Sequence, residues 1–376
     1  MKIAVLTSSR ADYGIYLPLL NEIKKDHFFD LEIIAFGTHL SIKHGYTLDD
    51  IEKDGYDTIH KITSLIDDDS EKGIVVSYGR TVLEFSNFWE NKYFDLVFCL
   101  GDRFEMNAAV QACIPFGIKL AHIHGGENTL GAIDNKYRHQ ITIASDIHFV
   151  STTENLTKVK ELTGHSKFIF NVGSLSLNDI KNFQPINKSF FYDNFKIQNK
   201  PFALVTFHPE TVSVKDNYIY AAEMSKALIA VSDKLNLVIT MPNADTLGSV
   251  YREEIYKLKN KIPNSVLLIE NFGKINYFNA MYYSSILIGN TSSGIIEAAS
   301  FGKYVVNVGD RQKGRSQSKN ILNVQFKHKD LILKVNEALL LGEFEGDNVY
   351  FKQNVVNNFI GILKKAEILE NTQTNK

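Results

Sequence analysis

Short apolar runs alternate with helix-length patterns along this chain, and run after run ends in polar residues. Ile3 to Leu6 gives way to Thr7-Ser8-Ser9-Arg10-Ala11-Asp12-Tyr13-Gly14, and Leu31 to Phe36 to Gly37-Thr38-His39-Leu40. Asp95 to Leu100 ends in Gly101-Asp102-Arg103, and Lys119 to Ile123 leads into His124-Gly125-Gly126-Glu127. Strand, polar loop and helix in repetition predict a doubly wound parallel sheet. Ligands of such sheets bind in the crevice beyond the carboxyl ends of the strands. Four polar strand ends in succession therefore place a site along one sheet edge.

The densest stretch runs from His122 to His139, where three histidines, two carboxylates, one arginine and three glycines fall within eighteen positions. So many titratable groups are more than a turn requires, and Gly125 and Gly126 have the freedom to let backbone approach a ligand closely. Helices are expected at Ile15 to Lys25, Ile74 to Asn91, Phe104 to Ala112 and Lys136 to Ala144. His148 to Val150 and Phe168 to Val172 read as further strands, and the charged stretch Asp49 to Asp68 as an irregular surface excursion.

Asn182 to Lys200 is polar, contains Pro185 and precedes Pro201, and reads as a linker. The boundary placed there gives Rossmann-like domains at 1–180 and 181–376, with the final helix free to pack back on the first. The second half repeats the alternation. Phe202 to Phe207 ends in His208-Pro209-Glu210-Thr211, and Leu237 to Met241 in Pro242-Asn243-Ala244-Asp245. Ser285 to Ile288 ends in Gly289-Asn290-Thr291-Ser292-Ser293-Gly294, and Tyr304 to Val308 in Gly309-Asp310-Arg311-Gln312-Lys313-Gly314-Arg315. Further helices are expected at Asn217 to Leu235, Leu331 to Leu341 and Val355 to Leu369, before a frayed tail.

Small and hydroxylated residues between a buried strand and a helix suit a diphosphate, because free N–H groups, hydroxyls and the helix dipole converge there. Asn290, Thr291, Ser292, Ser293 and Gly294 form this cradle. Arg311 and Arg315 can supply the counter-charge, and Glu297, on the following helix, can accept both hydroxyls of a ribose. Arg10, beside a helix start, can bind phosphate or stand as an exposed loop arginine. No Gly-x-Gly-x-x-Gly fingerprint or Walker loop is present.

Composition narrows the chemistry. With 41 basic and 43 acidic residues in 376, the net charge of -2 disfavours a general nucleic-acid or membrane-surface binder. The two cysteines, Cys99 and Cys113, lie in or near apolar runs, which fits a reducing cytoplasm and excludes a disulfide framework. The apolar N-terminal run is too short for a signal peptide, and no window reaches the roughly 18 apolar residues of a membrane span. His122-x-His124 resembles a metal pair, but no third ligand stands at a diagnostic spacing. No Gly-x-Ser-x-Gly elbow occurs either. Acid–base chemistry by Asp102, His124, Glu127, Asp134, His139 and His208 on a diphosphate-bearing substrate is what remains.

The motifs quoted above, with Arg138-His139, keep their order from Arg10 to Arg315 and together resemble the UDP-N-acetylglucosamine 2-epimerases, in particular the hydrolysing branch of sialic-acid-type biosynthesis. The resemblance implies an α/β fold of the GT-B type, with two Rossmann-like doubly wound domains facing a central cleft, in a homodimer without cofactor or metal. It implies that UDP binds through Asn243, Tyr277, Thr291, Ser292, Ser293, Glu297 and Arg311, completed by Arg10, Arg103 and His208. Asp102, Glu127 and Asp134 match the carboxylate-rich catalytic pocket. The implied reaction removes the C2 proton while UDP leaves C1, then hydrates the 2-acetamidoglycal to the free C2 epimer. Several relatives carry glutamate where this chain has His124, so the acid–base work falls to His124 or Glu127, with base and acid unassigned. UDP-N-acetylglucosamine is the first expected substrate and the UDP-linked 2,4-diacetamido-2,4,6-trideoxy sugar of legionaminic acid synthesis the second. A GT-B glycosyltransferase and a non-catalytic nucleotide-sugar binder are the readings from other classes; the carboxylate cluster speaks against both.

Overall fold

The computed structural model describes residues 1–42, 46–68, 70–180, 183–210, 214–242, 248–270, 272–365 and 368. The chain divides into two compact units. Unit 1 comprises Met1–Glu127, Asp134–Asp179 and Lys352–Lys376, and unit 2 comprises Asn128–Ile133 and Ile180–Phe351.

Unit 1 alternates strand and helix: β1 (Lys2–Thr7), α1 (Arg10–Lys25), β2 (Asp30–Phe36), α2 (Leu48–Lys53), β3 (Thr58–Ile62), α3 (Glu71–Trp89), β4 (Leu96–Leu100), α4 (Phe104–Cys113), β5 (Leu120–Ile123), α5 (Asp134–Ala144), β6 (Ile147–Val150), α6 (Thr153–Thr163) and β7 (Ile169–Asn171). Its seven strands are all parallel, in the order β3-β2-β1-β4-β5-β6-β7. Alternate side chains of each strand serve opposite faces. Ile3 and Val5 pack with Tyr16, Leu19, Leu20 and Ile23 of α1. Ala4 and Leu6 pack with Phe85 and Trp89 of α3 and Met106 and Val110 of α4. Burial on both faces is why β4 reads as an unbroken apolar run, Leu-Val-Phe-Cys-Leu.

Unit 2 holds α7 (Lys188–Phe195), β8 (Phe202–Thr206), α8 (Asn217–Val231), β9 (Asn236–Thr240), α9 (Gly248–Lys261), β10 (Val266–Ile269), α10 (Lys274–Tyr283), β11 (Ile286–Gly289), α11 (Ser292–Ile296), β12 (Val305–Val308), β13 (Ile321–Val324) and α12 (His328–Leu341). The order β10-β9-β8-β11-β12-β13 is again parallel throughout. The last helix, α13 (Val355–Leu363), belongs to unit 1, where Phe359 stacks on Phe149 with ring centroids 4.1 Å apart.

Both sheets reverse direction of growth once, between β1 and β4 and between β8 and β11. Such a reversal leaves the following loops diverging to opposite faces and opens a crevice at the strand ends. The residues after β1, β4, β8 and β11 are those singled out in the sequence.

Some local expectations change. The stretch Asp49 to Asp68 is not irregular: it holds α2 and the edge strand β3, whose Thr-Ile-His-Lys-Ile pattern is masked by flanking charges. Charge on an edge strand is a protection against unwanted pairing. The polar stretch Asn182 to Lys200 includes α7, which buries Phe191 and Tyr192 against β8 and α10 and is capped by the Asn187 side chain. Strand β13 and helices α6, α9 and α10 were not foreseen. The expected frayed tail, Glu370 to Lys376, lies outside the described residues.

Candidate active site

At the β1 end of unit 1, Ser9 caps α1 by accepting from the Asp12 amide at 3.3 Å. The Asp12 carboxylate reaches back to accept from the Ser8 hydroxyl at 2.7 Å and the Ser8 amide at 3.3 Å. Burial raises its proton affinity, partly offset by Arg103 and the serine hydrogen bonds. Arg10 is the exposed first residue of α1 and borders a cavity of about 280 Å³ with Tyr13, His39, Thr47, Asp50, Lys53 and Asp54. The neutral His39 ring bridges Thr7 and Thr47 at 2.8 Å each, and burial pushes its pKa down to about 4.

After β4, the positive φ of Gly101 (80°) turns the chain into Asp102. Arg103 stands at the start of α4 and grips the buried Glu105 carboxylate with Nη2 at 2.9 Å and Nε at 3.3 Å. That pairing holds the Arg103 charge firmly in place.

The β5 loop is where the titratable groups converge. His122 is buried on β5, donates from Nε2 to the Gly101 carbonyl at 3.0 Å and sets Nδ1 3.1 Å from the Thr142 hydroxyl. Burial pushes its pKa down to about 3, so it is a neutral core histidine whose two nitrogens are both engaged. His124 lies past the end of β5 in a left-handed conformation (φ 64°), so it is not a second strand position beside His122. Its Nδ1 is 3.5 Å from Oε1 of Glu127, a carboxylate only 1% exposed. Arg138 of α5 reaches the same place, donating to Asp102 Oδ2 and to the His124 carbonyl (2.9 Å) and passing 3.7 Å from Glu127 Oε2. Asp134, half-buried, opens α5 one turn before Arg138. Packing inside unit 1 already requires Gly125 and Gly126 to lack a side chain. A Cβ on Gly125 would lie 2.9 Å from His122 Nδ1, and one on Gly126 2.5 Å from the Asn155 carbonyl. Among the described residues, no group of three or more His, Cys, Asp or Glu is placed to hold a metal ion.

In unit 2, Gly289 ends β11 with φ 145° in a spot where a Cβ would sit 1.7 Å from the Thr206 carbonyl. The buried Asn290 side chain accepts from the His208 amide (2.7 Å) and donates to the His208 carbonyl (2.8 Å). Its own carbonyl accepts from Gln312 Nε2 at 2.9 Å. Asn290 is thus a brace joining three loops. Thr291 caps α11 by accepting from the Ser293 amide at 3.2 Å. Ser292 begins that helix, and Gly294 backs onto Val305 of β12. Ser293 donates to Glu297, and Tyr277 on α10 meets Ser293 and Thr206 beside the Glu297 charge. Burial, with that carboxylate nearby, pushes Tyr277 up to about 12. Arg311 donates from Nη1 to the Pro209 carbonyl, and Arg315 follows in the same loop, half-buried. Asn243 lies outside the described residues.

Sequence reasoning missed several residues that hold these loops. Glu210 is 4% exposed, and its carboxylate accepts from the Asp310 amide, one hundred residues away. Its backbone is clamped by Asn217 through two 2.9 Å hydrogen bonds. No local pattern announces such a pairing. Glu105 and Asp12 carried weak signals as first-turn acids after capping positions. Arg138 carried a clearer one, four residues beyond Asp134 on one helix face.

The sequence profile described as UDP-N-acetylglucosamine 2-epimerase matches residues 21–364. This chain belongs to that family. Family membership makes it an enzyme built on two Rossmann-like sheets. Among its relatives, the GDP/UDP-N,N'-diacetylbacillosamine 2-epimerase (hydrolyzing) of Campylobacter jejuni is 34% identical over 88% of this chain and 85% of that protein. The UDP-N,N'-diacetylbacillosamine 2-epimerase (hydrolyzing) of Legionella pneumophila is 31% identical over 93% and 92%. The crystal structure of the Neisseria meningitidis UDP-GlcNAc 2-epimerase bound to UDP-GlcNAc superposes with a TM-score of 0.79. It covers 96% of this chain and 99% of that one at 16% identity, a likeness of GT-B-type fold. Among the described residues, no helix of this family member is long and apolar enough to cross a membrane.

Proposed function

We propose that the protein is a hydrolysing 2-epimerase of a UDP-linked 2-acetamido sugar, releasing UDP and the free C2-inverted sugar through a 2-acetamidoglycal. The observation that carries this reading is the charge cluster Asp102–Arg138–Glu127 with His124 in a chain of the epimerase family. Asp102, His124, Glu127, Asp134 and His208 are the acid–base groups. One removes the C2 proton as UDP departs, and a protonated one returns a proton to the opposite face during hydration. Thr291, Ser292, Ser293 and Arg311 receive the diphosphate, with Arg10, Arg103 and Arg315 adding positive charge, while Glu297 receives the ribose hydroxyls and Tyr277 stands beside it. Stabilising a departing diphosphate is the largest single demand of the elimination step.

The two relatives described above at 34% and 31% identity both carry names for N,N'-diacetylbacillosamine. They favour the 2,4-diacetamido sugar over UDP-N-acetylglucosamine, the first expectation, although no residue of the sequence decides between the two. The chain acts as a homodimer in the same reading, which its mass in solution checks. Incubation of each UDP-sugar with the enzyme in D2O, without acceptor, is the deciding experiment. The expected products are UDP and a free sugar inverted at C2 and carrying deuterium there. Retention of C2 configuration and of protium would instead point to a transferase hydrolysing its donor.

A further inference from the structure

Arg138 is 2% exposed, yet it brings a permanent charge to the centre of the acid–base cluster. Its fork divides among three neighbours: Nη2 to the Asp102 carboxylate, Nη1 to the His124 carbonyl at 2.9 Å, and Nη1 again 3.7 Å from the Glu127 carboxylate. These neighbours come from the β4 and β5 loops, whose starts are also joined by His122 and the Gly101 carbonyl at 3.0 Å. A planar guanidinium can address a carboxylate and a carbonyl at once, whereas an ammonium is a single point of charge.

The His124 contact has a further purpose. A non-glycine residue in the left-handed region is strained, by about 1 kcal/mol or more, and persists only where its surroundings hold it. His124 is held from both sides: its amide donates to Phe149 of β6 at 3.0 Å, and its carbonyl accepts from Arg138. The same turn brings the His124 ring to Glu127. Helix α5, which carries Asp134 at its first position, therefore fixes the orientation of the other members of the cluster through Arg138.

We propose that Arg138 is a positioning residue that sets the mutual geometry of Asp102, His124 and Glu127 without contacting the nucleotide. The proposal rests on the functional reading above. A misplacement of about 1 Å in such a cluster costs about 10²-fold in turnover. Arg138→Ala in the full-length chain should therefore lower kcat about 10²-fold and leave the calorimetric Kd for UDP unchanged. Guanidinium ion added to this variant should restore part of the rate, and urea, uncharged and of similar shape, should not. Arg138→Lys, which keeps the charge, should stay well below wild type, and it carries the test if the alanine variant does not fold. Hydrogen exchange gives a reading independent of turnover: amides from His124 to Glu127 should exchange faster in Arg138→Lys, with the β1 and β4 amides unchanged. Normal kcat in the variants, a parallel loss of UDP affinity with no guanidinium rescue, or unaltered exchange over the His124 turn would each overturn the assignment. A wild-type enzyme that inverts no UDP-sugar would sink the reading of function instead, and the exchange experiment would still judge Arg138.

Discussion

At its switch point unit 1 carries ionisable side chains: Asp12, Asp102, Arg103, Glu105, His124, Glu127 and Arg138, most of them buried and paired with one another. Unit 2, with the same central strand order, offers a threonine cap, serine hydroxyls and a short helix start, braced from behind by Asn290 and Glu210. Fixed dipoles need not change state to hold an anion, which suits a group bound from beginning to end of a reaction. Titratable groups held close together can exchange protons. In the proposed reading, one topology serves mainly nucleotide retention in unit 2, with His208 lending an acid–base group, and mainly proton transfer in unit 1, with Arg10 and Arg103 lending charge to the diphosphate.

The largest expected effect breaks the comparison if it fails. Asp102→Asn, Glu127→Gln and Asp134→Asn should each lose turnover by about 10²-fold or more and still bind UDP as wild type does, by calorimetry. Adding synthetic 2-acetamidoglycal then shows whether elimination or hydration has been lost. The converse substitution lies in unit 2. Arg311→Ala should weaken UDP binding by about 2–3 kcal/mol, the scale of a charged hydrogen bond to phosphate; unchanged affinity would remove unit 2 from nucleotide retention.

The units should also differ in acid. His39, His122 and His148, all in unit 1, are held neutral by burial at pKa values of about 4, 3 and 4. Free histidine in the unfolded chain titrates near 6.5, so unfolding takes up protons below that pH. Their contribution to stability is whole above pH 6.5 and is lost progressively as pH falls towards 4 and 3. Hydrogen exchange at pH 7 and pH 5 should show β5 and β6 amides losing protection in acid, and equal protection at both would contradict it. The smallest effect sharpens the picture of unit 2: Thr291→Ala removes a helix cap and should cost about 1 kcal/mol in denaturant unfolding, and an unchanged midpoint would show that the cap contributes nothing.

How much of this was legible in the sequence follows from range. Strand ends β1, β4, β5, β8 and β11 were readable because apolar run and polar loop are adjacent in the chain. The Asp102–Arg138 and Glu210–Asp310 pairs were not, since they join positions 36 and 100 residues apart. Strand β3 was hidden by solvation of an edge, and α7 by the polar residues flanking its buried Phe191 and Tyr192. His122 and His124 looked equivalent two positions apart. Only the backbone reversal at His124 separates a core ring from one beside a buried carboxylate.

The return of α13 to unit 1 has a consequence for the protein's birth on the ribosome. Val355, Val356, Phe359 and Leu363 belong to the same core as β1, α1 and β6, although they are made more than three hundred and fifty residues after Lys2. Domains usually fold as they emerge, the first-made part first. Here unit 1 takes in α13, which is made after all of unit 2, while unit 2 is contiguous over Ile180–Phe351 apart from the earlier-made Asn128–Ile133. A nascent chain stalled before Val355 should hold unit 2 in protease-resistant form and leave unit 1 open to cleavage, so that the later half of the protein is the earlier to mature.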